Sequence, residues 1–244
     1  MSSPHITLYS NKLCPYAART VIALEETGHP HETVEIDILT PRPEWYLKEI
    51  NPYGQVPALK IDGQQILLES LITAEYVIDL HPEFGLMPKD PLQLAQTRYL
   101  IHHYNNRTVP LIHNATASKD GSQATQLRQE LLVELKKVNE LLLHRNLGQT
   151  NVSNDSANNN AEGPFFLGEK FTFADLILGS LLARFFLIDA LHPDLPSFQA
   201  TIRETPELAR FVQWKDAVIA RPSVQKATPS NEVLKDLFIK KFMN

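Results

Sequence analysis

Residues 5–28 read HITLYSNKLCPYAARTVIALEETG, and this stretch carries the clearest structural signal in the chain. A strand-like apolar segment over 5–9 is followed by a helical pattern over 15–26. A proline suits the first turn of a helix, and Gly28 is placed to end this helix in the left-handed conformation. The stretch therefore predicts a strand, a short turn and a helix, with Cys14 at the turn.

The residues after this helix predict the remainder of a small α/β domain. Apolar and acidic residues alternate over 34–38, which is typical of a strand with one wet face. Asp62-Gly63 tolerates positive φ and separates apolar runs at 57–61 and 65–68, so those runs should form an antiparallel hairpin. Ser70 is placed to cap the next helix. The predicted order is β-α-β, a short helix, then β-β-α.

The chain divides into two regions of different periodicity. Residues 1–82 form the α/β domain, 83–91 a linker rich in turn residues, and 92–244 a region that is helical in period. A stretch rich in Asn, Ser and Gln at 148–163 predicts a flexible polar insert within it. Helices are predicted over about 92–115, 124–147, 172–191 and 207–220, with a last one from Val233.

Composition narrows the classes of partner. The 244 residues carry a formal net charge of -5 and are 43% hydrophobic, which favours a folded core and gives no concentrated basic surface. We therefore expect no nucleic acid and no membrane as partner. The first residues do not resemble a secretory leader, so the expected location is cytoplasmic. His102-His103 lacks regular ligand spacing, and no metal site is predicted.

Cys14 is the single cysteine, which excludes an internal disulfide. A lone cysteine is more often an inert small hydrophobe, but one placed directly before a proline at a helix start favours a reactive thiol. Helix N-termini stabilise a thiolate through unpaired N–H groups and the helix dipole. Ala17 stands where a second cysteine would resolve an adduct, so turnover requires a thiol from solution.

Two further positions suggest a peptide-like ligand. The Val56-Pro57 bond could adopt the cis form and expose backbone groups to an extended peptide. Glu69-Ser70 at a helix start offers a hydroxyl and N–H groups for a carboxylate, and the Glu69 side chain could pair with an ammonium group. Taken alone, Ser70 would be only a helix cap.

Four separated motifs, CPYAART at 14–20, PEW at 43–45, NPYGQVPAL at 51–59 and ESLITAEY at 69–76, resemble the omega-class glutathione transferases. The resemblance implies an α/β plus all-α fold: an N-terminal thioredoxin-like domain that binds glutathione, followed by an all-helical glutathione-transferase C-terminal domain. It also implies a homodimer.

The resemblance assigns roles to individual residues. Cys14 would form the mixed disulfide with glutathione as the catalytic residue. The residues that would hold glutathione as co-substrate are Tyr16, Leu39, Arg42, Val56, Pro57, Glu69 and Ser70. Arg184 and Trp214 would line the pocket of the second substrate, although an ion pair for Arg184 and helix packing for Trp214 stay open. Asp175 with Thr172 resembles a structural capping box.

The implied activity is glutathione-dependent thiol transfer or reduction, including reduction of dehydroascorbate, on a small electrophilic or oxidised substrate. Conjugating glutathione transferases instead activate glutathione with a hydroxyl, for which Tyr9 and Ser10 are the nearby residues. Two alternatives stay open. One is a glutathionyl-hydroquinone reductase or etherase-like enzyme, and the other is a non-catalytic binding module of the same architecture.

Overall fold

The computed structural model describes residues 3–145 and 163–240. Its contacts divide the chain into two compact units. The first unit consists of Met1–Met87 with Arg221–Pro229, and the second of Pro88–Ala220 with Ser230–Asn244. The segment Arg221–Pro229 therefore belongs with the first unit, although the periodicity of the sequence groups it with 92–244. Apart from Gly163, the predicted insert at 148–163 lies outside the described residues.

The first unit is built on a four-stranded mixed sheet. Its strands are β1 Ile6–Ser10, β2 His31–Glu35, β3 Ala58–Ile61 and β4 Gln65–Leu68. The spatial order is β2-β1-β3-β4, with β1 parallel to β2 and antiparallel to β3, and β3 antiparallel to β4. Strand β1 is almost wholly buried. This arrangement confirms the predicted element order.

Four helices complete the first unit: α1 Pro15–Thr27, α2 Glu44–Glu49, α3 Ser70–Asp79 and, from the later segment, α11 Pro222–Lys226. Helix α1 packs against α3 and also against α11. Gly28 follows α1 with φ 65°, which confirms the predicted left-handed helix end. A 3₁₀ turn, Pro82–Phe84, follows α3.

The predicted hairpin is present, but the predicted cap of α3 is wrong. Asp62 and Gly63 both have positive φ, 51° and 72°, and connect β3 to β4. Ser70, however, is the first residue of α3, and Glu69 occupies the N-cap position without a side-chain capping bond. The Ser70 hydroxyl is therefore available for other partners, because it is not used to cap its own helix.

The second unit is helical. Its helices are α4 Pro91–His103, α5 Val109–Ala117, α6 Gly121–His144, α7 Phe173–Leu182, α8 Leu187–Ala190, α9 Phe198–Glu204, α10 Ala209–Ile219 and α12 Asn231–Phe238. None of the helices in the described part of the chain is both long and apolar enough to cross a membrane.

The helix predicted over 92–115 is interrupted. A π-helical turn, Tyr104–Thr108, separates α4 from α5. Pro110 lies in the first turn of α5. Because proline has no N–H and its ring crowds the carbonyl four residues earlier, the regular α-helical ladder cannot continue through this point.

A buried carboxylate organises the core of the second unit. Asp175 has no exposed surface, and its oxygens accept hydrogen bonds from the backbone N–H groups of Phe166 and Thr172, both at 2.9 Å. The Thr172 hydroxyl at 3.0 Å and the Trp214 indole N–H at 2.7 Å are the third and fourth donors. These four bonds tie the start of α7 to α10 and to the segment before α7.

Candidate active site

Cys14 lies between β1 and α1 as the N-cap residue of α1. Its Sγ accepts a hydrogen bond from the backbone N–H of Ala17 at 3.5 Å. The side chain is half-buried and rests against an apolar cluster that includes Tyr9. The sulfur therefore meets a helix N-terminus on one side and keeps part of its surface open.

Asn11 fixes the turn that carries this cysteine. The side-chain amide of Asn11 donates to the carbonyl of Ile36 at 2.8 Å, and its oxygen accepts from the N–H of Leu13 at 2.9 Å. The Asn11 carbonyl accepts from the Cys14 N–H at 3.0 Å. Sequence reasoning did not single out Asn11, although an asparagine just after a strand is a known turn signal.

The Val56-Pro57 peptide lies beside the cysteine. This bond is cis, as the sequence predicted, and both residues are buried. The Cys14 Sγ is 3.7 Å from the Val56 carbonyl oxygen. The preceding carbonyl, that of Gln55, accepts from the Tyr46 hydroxyl at 2.7 Å and the Asn51 amide at 2.9 Å. Two buried donors thus hold the backbone that leads into Val56.

Arg42 donates hydrogen bonds to four backbone carbonyls. Its Nε donates to the carbonyl of Gly54 at 2.8 Å. The remaining acceptors are three further carbonyls, those of Asp37, Ile38 and Thr40, at 2.6, 3.3 and 2.6 Å. Because a guanidinium has five N–H bonds, this leaves one for a ligand. The hydrogen bonds of Arg42 thus connect the 37–40 loop to Gly54.

Leu39 and Tyr16 present apolar surface to solvent. Leu39 is 62% exposed in the loop that Arg42 braces, and Tyr16 is 43% exposed in the first turn of α1. The backbone N–H of Leu39 donates to Asp37 at 2.8 Å. That hydrogen bond, together with one from the Thr40 hydroxyl, lowers the pKa of the Asp37 carboxyl below its ordinary value.

The start of α3 is strained. Glu69 has φ 70° and ψ 120°, a conformation that side-chain-bearing residues rarely adopt, and its side chain is exposed. Such strain costs on the order of 1–3 kcal/mol and concentrates at ligand-binding positions. Ser70 follows, and its Oγ accepts a hydrogen bond from the guanidinium of Arg19 at 3.1 Å. Arg19 lies within the CPYAART motif, and the resemblance assigns it no role.

The two hydroxyls considered for conjugation chemistry lie in the sheet core. Tyr9 is buried against Trp45 and Tyr46. Burial, followed by the charge of Glu49, raises the pKa of Tyr9, whereas activating a thiol by hydrogen bonding favours an acidic donor. Ser10 is also buried, and its carbonyl accepts from the N–H of Ile36.

Arg184 and Trp214 belong to the second unit. Trp214 is fully buried, donates to Asp175 and packs against Phe211 and Tyr104, as a core residue does. Arg184 is also buried and donates to the carbonyl of Ser180 at 2.6 Å. Across residues 3–145 and 163–240, no group of three His, Cys, Asp or Glu side chains could hold a metal ion.

The class of protein is defined by two features. The first unit is thioredoxin-like with a half-buried cysteine at its first helix, and a helical unit is joined to it in sequence. The family model of the glutathione S-transferase N-terminal domain matches residues 13–80, and that of the C-terminal domain matches 110–226. The chain belongs to the glutathione S-transferase family.

Within this family the chain is similar to omega-class members. It is 36% identical to glutathione S-transferase omega-1 of Mus musculus over 135 residues, which is 55% of each chain. The aligned part thus spans about half the length of that relative. The resemblance to the omega class is confirmed.

Solved structures agree with this assignment. Glutathione transferase Omega 2C from Trametes versicolor superposes with a TM-score of 0.79 at 27% identity, covering 99% of this chain and 100% of that one. A Sulfitobacter glutathione transferase homologue with bound glutathione has a TM-score of 0.60 at 25% identity and covers 91% and 96% of the two chains. The predicted fold class is confirmed.

Proposed function

We propose that the protein is a glutathione-dependent thiol transferase and reductase that acts through Cys14. The observation that carries this proposal is the position of Cys14: the residue is half-buried at the start of α1, and its sulfur lies 3.7 Å from the Val56 carbonyl oxygen. A cysteine forms a bond with the sulfur of a substrate, whereas a hydroxyl can only polarise glutathione.

Glutathione is the proposed co-substrate, and the family and the glutathione-bound homologue support this choice. The backbone of Val56, before the cis bond to Pro57, would pair with the extended tripeptide. Glu69 would take the ammonium group and Ser70 the carboxylate of the γ-glutamyl end. In this arrangement Glu69 and Ser70 contact the γ-glutamyl end of glutathione, and Cys14 lies at its thiol.

Tyr16 and Leu39 would cover the flanks of the tripeptide with their exposed apolar surfaces. For Arg42 we propose that any direct contact uses its one remaining N–H, because four carbonyls take the others. In the second unit, Arg184 remains the proposed contact for the second substrate. Trp214 has no surface to offer one, so its packing role is favoured.

The reaction proceeds in two exchanges. The Cys14 thiolate attacks the glutathionyl sulfur of a mixed disulfide, a new S–S bond to Cys14 forms, and the substrate thiolate leaves and takes a proton. A glutathione thiolate then attacks the glutathionyl sulfur held on Cys14. Oxidised glutathione leaves, and the Cys14 thiolate is restored. An external thiol is required because the chain has one cysteine.

The test is a Cys14→Ser variant assayed with a glutathionylated peptide and with dehydroascorbate. We expect the variant to bind glutathione but to lose both activities, and mass spectrometry should find a glutathione adduct on Cys14 of the wild type only. A Tyr9→Phe variant serves as the control that retains thiol transfer. Wild-type transfer by Cys14→Ser, or its loss in Tyr9→Phe, contradicts the proposal.

Assembly and location are proposed from the resemblance to the omega class. We propose a homodimer and a cytoplasmic location, with a small electrophilic or oxidised compound as second substrate. Light scattering behind size-exclusion chromatography measures the assembly, and imaging of the tagged full-length chain measures the location. A monomer at working concentration would contradict the homodimer.

A further inference from the structure

Arg19 is a buried cation next to the proposed glutathione site. It lies in the middle of α1 and is 2% exposed. An arginine is seldom buried this completely, because taking a charge out of water is costly unless it is paired. The contacts of its guanidinium therefore indicate what it does.

Two of these contacts lead to residues of the proposed site. The Arg19 guanidinium donates to Ser70 Oγ at 3.1 Å, and its central carbon lies 4.9 Å from the centre of the Tyr16 ring. Burial lowers the pKa of Arg19 to about 10, while the charges of Tyr16 and Cys14 act in the opposite direction. Arg19 therefore remains a cation at neutral pH.

The bond to Ser70 has a directional consequence. A serine hydroxyl has one proton and two lone pairs, and Arg19 occupies a lone pair because a guanidinium can only donate. The Ser70 proton must then point to another acceptor. A cation behind the oxygen also makes the hydroxyl a stronger donor toward an anion.

We propose that Arg19 is a positioning residue that orients the Ser70 hydroxyl toward the γ-glutamyl carboxylate of glutathione. This inference rests on the proposed function and adds a residue that acts through Ser70 without touching the ligand.

The test is a double-mutant cycle on the dissociation constant of glutathione, measured by calorimetry on the full-length protein. Arg19→Met and Ser70→Ala should each weaken binding about tenfold, the size expected for a hydrogen bond to a charged group. In the Ser70→Ala background, Arg19→Met should weaken binding by less than about twofold, because the hydroxyl that it orients is already absent. Arg19→Lys should restore part of the affinity, because it keeps the charge and loses the planar fork.

A matched control separates positioning from folding. Arg128 of α6 is also buried, with 5% of its surface exposed, and its guanidinium donates to the carbonyls of Pro196 and Ile188 at 2.8 and 2.6 Å. Arg128→Met should lower thermal stability without changing the dissociation constant. The thiol-transfer assay should show the Arg19→Met defect mainly in the KM for glutathione, with a smaller change in kcat.

Independent losses in the cycle would overturn the inference, as would unchanged binding by Arg19→Met. If Arg19→Met does not fold, the same cycle is measured with Arg19→Lys and Ser70→Ala. A smaller effect of Arg19→Lys in the Ser70→Ala background then supports the inference, and an equal effect overturns it. Failure of the proposed function is distinguishable, because it shows in the thiol-transfer activity of Cys14→Ser, whereas the cycle is measured on glutathione binding alone.

Discussion

The carboxylate of Glu26 accepts two hydrogen bonds from the guanidinium of Arg221, at 2.8 and 2.7 Å, across 195 positions of the chain. The Ser223 hydroxyl also donates to this carboxylate. Glu26 belongs to α1, and Ser223 lies in α11, so these bonds join the first and last parts of the first unit. The side chain of Glu26 is 8% exposed.

This cluster predicts an acid-sensitive first unit. Burial alone would raise the pKa of Glu26, but the hydrogen bonds from Arg221 and Ser223 hold it below the ordinary 4.5. A carboxyl whose pKa is lowered on folding contributes stability above its unfolded pKa and loses it as the pH falls through the folded value. The stabilisation should therefore be complete at neutral pH and disappear below about pH 4.5.

Glu26→Gln should lower the free energy of unfolding by about 1 kcal/mol at pH 7, a value reduced for the partial exposure of Arg221. The difference from wild type should shrink on acidification, because the glutamine does not titrate. Denaturation with urea at several pH values measures both effects. Glu25→Gln, which breaks a more exposed pair with Lys226, should change little. A pH-independent difference would contradict the interpretation.

A second prediction concerns Arg42, because a lysine in its place keeps the positive charge but cannot make the same hydrogen bonds. One ammonium group cannot bond four separate carbonyls, so Arg42→Lys should behave like Arg42→Met. Both should lower the free energy of unfolding by about 1–2 kcal/mol and speed hydrogen exchange over 37–40. Lys48→Met, an exposed change in α2, is the control. Wild-type exchange in Arg42→Lys would show that charge alone is enough.

A third prediction concerns the second unit. Asp175→Asn replaces one carboxylate oxygen with an amide that donates, so about two of the four hydrogen bonds should be lost. We expect a loss of about 3 kcal/mol or more in the free energy of unfolding. Thermal melting followed by near-ultraviolet circular dichroism measures it. Asp194→Asn, at an exposed position, should melt like the wild type.

The sequence predicted the parts of this structure that local physics determines. The strand and helix around Cys14, the left-handed end at Gly28 and the hairpin at Asp62-Gly63 each follow from neighbouring residues, and all three are present. The interruption after α4 was missed because the apolar period continues through it. Pro110, which has no backbone N–H, is the sequence feature that indicates the interruption.

The partners of charged residues were less predictable. Nothing near Arg221 in the sequence points to Glu26, and nothing near Arg19 points to Ser70. Such pairs depend on how distant segments pack. The resemblance gave Arg42 a ligand role by position, whereas its contacts depend on the path of the 37–40 loop. Patterns therefore located the candidate site, and packing determined which residues support it.

The unusual backbone of Glu69 has a consequence for affinity. In the folded chain this residue already occupies a scarce conformation at the beginning of α3. The packing of the surrounding residues offsets this unfavourable backbone energy when the chain folds. A ligand that docks there would find the receptor preorganised, and little further conformational entropy would be lost on complex formation.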